Sequence, residues 1–194
     1  MHTTSQPTSL AGIHRIVWTA ICAALVAIGA MLVIPMGSVP FSMQPMFVAL
    51  AGFILGPVLG GVSILLYLVA GAAGLPVFTR GMSGVAHLFG PTGGFLFGFV
   101  LFAVLAGVAR RRADRGSSQG QTAGVGWISG MAWGLAGLVA LYALGLVWLK
   151  FRLDLGWWQA FLSAVAPFFP LGLVKLAMAV ACVRLLARSR LLPW

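Results

Sequence analysis

Residues 41–73 read FSMQPMFVALAGFILGPVLGGVSILLYLVAGAA and carry no charged side chain. Gly56-Pro57 interrupts the run near its middle. Proline removes a helical hydrogen bond and its ring clashes with the preceding turn. The run is therefore read as two membrane segments, at about 41–55 and 58–73, the first of them short for a helix. The topology hinges on that break. If both segments cross, the chain has six spans; if the first is re-entrant, it has five.

The rest of the chain has the same character. Of 194 residues, 61% are apolar and 7% are charged, against about a quarter charged in a soluble domain. Mean hydropathy is +1.06. So few polar groups could not cover a soluble surface, and disorder needs low hydrophobicity. The expectation is an all-α integral membrane protein of six transmembrane helices, at about 13–34, 41–55, 58–73, 93–109, 125–149 and 159–187. Residues 1–12 form a polar N-terminal tail, 13–190 a single membrane domain and 110–124 a cytoplasmic basic loop. Within the last apolar region, Pro167-Phe168-Phe169-Pro170 separates a short lead-in piece from the final span.

The net charge of +10 comes from only twelve basic residues. With six spans, eight of them fall on one side: Arg15, Arg110, Arg111, Arg112, Arg115, Arg184, Arg188 and Arg190. The positive-inside rule puts that side, with both termini, in the cytoplasm. The Arg110–Arg115 run reads as topogenic and headgroup-binding, not as a nucleic-acid patch. The opposite loops, 35–42, 74–92 and 150–158, are rich in Gly, Pro and polar residues. Irregular backbone at membrane depth is tolerated where it lines a cavity, so a site open to the outside is expected there.

Four residues are candidates for that site. Lys175 lies inside the last span, where a central cation costs about 2.5–3.5 kcal/mol. It reads as a ligand for an anion or a carbonyl oxygen, with snorkelling to the interface as the alternative. Arg80 sits in a Gly-flanked outer loop, Gln44 offers amide donors and an acceptor, and Tyr67 offers a hydroxyl in mid-span. A headgroup contact, a helix-end hydrogen bond and interhelical packing are their respective alternatives. Three scattered histidines and the two acids Asp114 and Asp154 form no metal or acid/base cluster. Cys22 and Cys182 carry no disulfide signal. Gly81-Met82-Ser83-Gly84 matches a GxSG pattern, but no histidine follows His87. No Walker A lysine pattern is present, so neither cofactor nor catalysis is expected. Small-residue stripes at Gly52/Gly56/Gly60, Gly94/Gly98 and Gly130/Gly134 allow close helix approach. They fit packing inside the bundle, with self-association into a homo-oligomer as the alternative.

The order of motifs resembles a known family. Val39-Pro40-Phe41-Ser42-Met43-Gln44 is followed by Leu50-Ala51-Gly52-Phe53-Ile54-Leu55-Gly56-Pro57 and Leu65-Leu66-Tyr67-Leu68. Then come Gly74-Leu75-Pro76-Val77-Phe78, Gly90-Pro91-Thr92-Gly93-Gly94, and Pro167-Phe168-Phe169-Pro170 with Lys175. From about Ile13 to Leu186 this resembles BioY, the biotin-binding S components of energy-coupling-factor (ECF) vitamin transporters. The resemblance implies an S-component-like six-helix bundle that takes up biotin from outside. It implies as partners a transmembrane T component and two cytoplasmic ATPases. Ala20/Ala24 or Ala23/Ala27 on the first helix would match the small-residue motif that meets the T component. Lys175 matches the family's lysine, while Gly172 stands where the family usually has Asp. Arg80, Gln44 and Tyr67 carry over as ligand contacts. An S component for another small vitamin, or a solitary biotin transporter, are the other readings within transport.

Overall fold

The structure, a computed structural model, describes residues 8–34, 40–116 and 125–189. Helix α1 spans Thr8–Met31. It stops earlier than the expected 34, because a residue before proline is driven out of the helical region and Ile34 precedes Pro35. Val33–Ile34 (β1) instead pairs antiparallel with Phe41–Ser42 (β2), Val33 opposite Ser42 and Ile34 opposite Phe41. Residues 8–12, expected as tail, belong to α1.

Helix α2, Gln44–Ala72, contains the decisive break: Gly56 has φ 78° and ψ −178°. That region is accessible essentially to glycine alone, and Pro57 next to it opens a new helical arm at the position where its missing N–H costs nothing. The two arms fold back on each other. A Cβ built on Gly60 would lie 2.9 Å from the Gly52 Cα, although eight residues of straight helix would separate them by about 12 Å. The Gln44 amide likewise reaches the Tyr67 hydroxyl at 2.8 Å, where a straight helix would hold them about 35 Å apart. Hence α2 is a hairpin with its tip at Gly56-Pro57.

A 3₁₀ turn (Thr79–Gly81) and the single-turn α3 (Val85–Leu88) lie in the next loop. Helix α4 covers Gly93–Gly116, so 110–116, expected as loop, are helical. Arginine and alanine favour helix, and Arg110 bonds Asp114 one turn on at 2.9 Å. Helix α5 covers Trp127–Leu153, four residues beyond the expected 149, and ends on Asp154 at φ 50°. The span expected at 159–187 is two helices, α6 (Trp157–Ala164) and α7 (Phe168–Arg188), parted at 165–167 ahead of Phe168-Phe169-Pro170.

Five helical stretches among the described residues are long and apolar enough to cross a membrane, counting 157–188 as one. With α2 folded on itself they make six segments of alternating direction. The protein is a multi-pass membrane protein. In lipid, close packing and not water exclusion holds helices together, and the small-residue stripes supply it. Gly52 abuts the Ala103 carbonyl, Gly107 abuts the backbone of Gly56-Pro57, and Gly134 abuts Leu176. Phe53, Phe102, Leu138 and Leu141 fill the interior between α2, α4 and α5.

The alternation gives the body two unlike ends. The β-ribbon, the start of α2, the 73–92 loop and the start of α7 gather at one. The start of α1, the hairpin tip and the ends of α4 and α7 gather at the other, with the described arginines Arg15, Arg110, Arg111, Arg112, Arg115, Arg184 and Arg188. Arg190 lies outside the described residues.

Candidate functional site

The ribbon end holds a cleft. It encloses about 550 Å³ counting its open mouth. Its walls are Phe95, Leu96 and Phe99 of α4, Leu141 and Tyr142 of α5, and Phe168 of α7. The polar groups come from elsewhere: Ser42, Gln44, Thr79, Thr92 and Lys175. A mostly apolar pocket with a few convergent polar groups is the usual form of a small-molecule site.

Lys175 lies two turns into α7 and is 6% exposed. Its Nζ donates to the Ser42 carbonyl oxygen at 2.6 Å and sits 3.5 Å from the Phe41 ring centroid. Both partners belong to β2, so the ribbon that Pro35 forces out of α1 is what receives the ammonium. An ammonium has three N–H donors, and Ser42 occupies one. The cation therefore faces the cleft with donors to give and, among the described residues, no carboxylate bonded to it.

Gln44 opens α2 and is 3% exposed. Its Oε1 accepts from the Ser42 hydroxyl at 3.2 Å and its Nε2 donates to the Tyr67 hydroxyl at 2.8 Å. This second bond exists because the hairpin brings Tyr67 back beside residue 44. Tyr67 does not line the cleft; it fixes the amide that does. Behind it, the Phe78 ring meets Tyr67 edge-on at 5.5 Å and stacks on His87 at 5.0 Å. Phe78 fills the space that Gly71 leaves open. Burial holds the His87 imidazole below its ordinary pKa. Contacts thus run from the 73–92 loop through Phe78, Tyr67 and Gln44 to the ribbon that holds Lys175.

The same loop is fastened on both sides. Gly84 N–H donates to the Gly71 carbonyl at 2.7 Å. Trp148 Nε1 and Arg152 Nε of α5 donate to the carbonyls of Gly90 (2.9 Å) and Phe89 (2.8 Å). Gly94 lies directly against Trp148. Gly71 and Gly94 therefore make room for Phe78 and Trp148, the aromatic side chains that anchor the loop.

The expected site residues separate. Lys175 and Gln44 are together at the cleft, with Tyr67 behind. Arg80 is exposed at φ 62° and is not among the lining residues; its neighbour Thr79 is. On α1, Ala23 is 7% exposed and belongs to the core, and Ala27 packs against that core. Ala20 and Ala24 are exposed, so only this pair is available to a partner helix. Ser83 of the GxSG match is exposed in the loop, away from the cleft.

Sequence reasoning passed over Ser42, Thr79, Thr92 and Tyr142. Ser42 adjoins Gln44 in a segment already singled out, and Tyr142 is, with Tyr67, one of only two tyrosines in the chain. Its hydroxyl donates to the Phe168 carbonyl at 2.9 Å. A Cβ on Gly172 would lie 3.0 Å from that hydroxyl and 3.2 Å from Leu138. In this chain the space beside position 172 is filled by Tyr142 and Leu138.

The sequence matches the model of the BioY family over residues 2–191. It is 38% identical over 162 residues to a probable biotin transporter BioY of Pyrococcus horikoshii, covering 83% of this chain and 88% of that one. It is 36% identical over 167 residues to the biotin transporter BioY of Thermotoga maritima, covering 86% and 91%. A crystal structure of the S-component for biotin from an ECF-type ABC transporter superposes with a TM-score of 0.83 at 27% identity, covering 94% of this chain and 95% of that one. The hairpin, the ribbon and the cleft with its single buried ammonium are thus set in a chain that belongs to the BioY family.

Proposed function

We propose that this protein is the substrate-binding subunit of a biotin transporter. Biotin is a carboxylate with an uncharged ureido ring and an apolar chain. The observation that carries the reading is one buried ammonium, Lys175, at the edge of an otherwise apolar cleft with Gln44 and hydroxyl groups beside it. Lys175 holds the carboxylate through a charge-assisted hydrogen bond. Gln44, held by Tyr67, and the Ser42, Thr79 and Thr92 hydroxyls bond the ureido group. Phe95, Phe99 and Phe168 enclose the chain. Arg80 has no contact role in this scheme.

The relatives' names and the S-component likeness support transport, not catalysis. Energy then comes from partners: a membrane T component docking on the exposed Ala20/Ala24 face of α1, and two ATPases. The clustering of arginines at one end supports both termini in the cytoplasm, the cleft facing outward and residence in the plasma membrane. Turning of the whole subunit against the T component would release biotin inside.

Binding of labelled biotin to the purified chain, with lipoate, thiamine and riboflavin as competitors, tests the assignment. Saturable binding displaced only by biotin is expected. No binding at micromolar biotin would overturn it, and displacement by another vitamin would name a different substrate. Co-purification with ATPases separates coupled from solitary transport.

A further inference from the structure

A second cavity lies at the opposite end of the body. It encloses about 1330 Å³ counting its open side. Its charged lining is Arg15 of α1 and Arg110, Arg111 and Asp114 of α4. Three guanidinium groups therefore face one carboxylate. Asp114 is bonded to Arg110 at 2.9 Å, which leaves Arg15 and Arg111 as the exposed cations of the group. Trp18 forms another part of the wall, its Nε1 donating to His14 Nε2 at 2.7 Å. The hairpin tip closes the floor.

The walls beside these cations are apolar, and they run out onto the membrane-facing surface. Val58 at the hairpin tip is 74% exposed. Ile16, Val17 and Ile21 continue an exposed apolar face along α1. A free inorganic anion would use only the guanidinium groups. A molecule with an anionic phosphodiester head and a hydrocarbon tail uses both parts. Arginine is suited to the head because its planar fork gives two parallel hydrogen bonds to phosphate oxygens.

We propose that this cavity is a binding site for an anionic phospholipid, with its phosphodiester between Arg15 and Arg111 and an acyl chain over Val58 at the hairpin tip, beside the Ala20/Ala24 face and not on it. The lipid would fix the start of α1, the hairpin tip and the end of α4 against one another. The site is independent of the biotin cleft.

Lipid retention by the purified full-length chain tests this, read by native mass spectrometry and by titration with phosphatidylglycerol, phosphatidylcholine or inorganic phosphate in detergent. Phosphatidylglycerol should bind more tightly than phosphatidylcholine. The Arg15→Gln/Arg111→Gln variant should weaken phosphatidylglycerol binding about 30-fold, about fivefold per arginine, and leave phosphatidylcholine unchanged. Arg112, whose guanidinium lies 4.7 Å from the Trp133 ring and outside the cavity lining, supplies the control. Arg112→Gln should bind as wild type does. Equal affinity for the two lipids, competition by inorganic phosphate at the lipid's own potency, or an equal loss in Arg112→Gln would each overturn the proposal. If the double variant does not fold, Arg15→Gln on the exposed side of α1 carries the test with its fivefold loss.

Discussion

The two ends of this molecule treat positive charge in opposite ways. At the ribbon end a single ammonium is 6% exposed and rests on a carbonyl and an aromatic ring. At the other end three arginines surround an open cavity, and one of them is held by Asp114. A buried cation with few partners discriminates by geometry, because any anion that reaches it must fit the walls around it. Clustered, exposed guanidinium groups respond to negative charge more generally and are screened by salt. On the proposed reading, one end selects a small solute and the other orients the protein in its membrane.

The contrast can be broken most severely at Lys175. Lys175→Ala should weaken biotin binding about 10- to 100-fold, since a hydrogen bond to a charged group is worth about 1.5–3 kcal/mol. Isothermal titration measures it, and unchanged affinity would return Lys175 to a snorkelling role. Next comes Tyr67→Phe, which strips the Gln44 amide of its acceptor at 2.8 Å. A loss of about 1 kcal/mol, or about fivefold in Kd, is expected although Tyr67 is outside the cleft. Gly172→Ala should push the Tyr142 hydroxyl from its place at 3.0 Å. An off-rotamer tyrosine costs about 0.5–1.5 kcal/mol, and a Kd raised about threefold would register it. Arg80→Ala should stay within about twofold of wild type, because surface substitutions rarely exceed ±0.5 kcal/mol.

Acidification gives a subtler test of the loop that backs the cleft. Burial holds the folded-state pKa of His87 low, so between that value and its unfolded value near 6.5 the unfolded loop binds more protons. Stability is then fully present above about pH 6.5 and falls as the pH drops through that window. Faster hydrogen exchange across 74–92 at pH 5.5 than at 7.5, beyond the change in intrinsic exchange rate, is expected. A His87→Gln variant should abolish the difference.

Much of the fold was legible because the signals were local. A proline beside a glycine in an uncharged run marks a break whatever surrounds it, and Gly56-Pro57 does so at φ 78°. The break ahead of Phe168 and the small-residue stripes were readable for the same reason. Helix ends were less so. The Arg110–Arg115 run reads as polar loop by composition, yet helix continues through it, because a run of charged side chains says nothing against helical backbone. The 32–34 stretch is apolar enough for helix but leaves it to pair with β2.

The site divides along the same line. Lys175 and Gln44 stand out in the sequence because a polar group in a membrane span is costly wherever it points. Arg80 stood out equally, yet the turn that carries it leaves it exposed while Thr79 reaches the cleft. The four candidate alanines of α1, Ala20, Ala23, Ala24 and Ala27, share one spacing, and only packing against α2 determines that Ala23 is interior and Ala20 and Ala24 are not. Sequence by itself determined the membrane class, the break at Gly56-Pro57 and the residue types able to bind an anion, because hydropathy, proline chemistry and the cost of burying charge are properties of short segments. Only the tertiary structure decided that Tyr67 returns to Gln44 and that Ser42 receives Lys175 across 133 positions. Such contacts depend on how helices fold back and pack, which no segment carries alone.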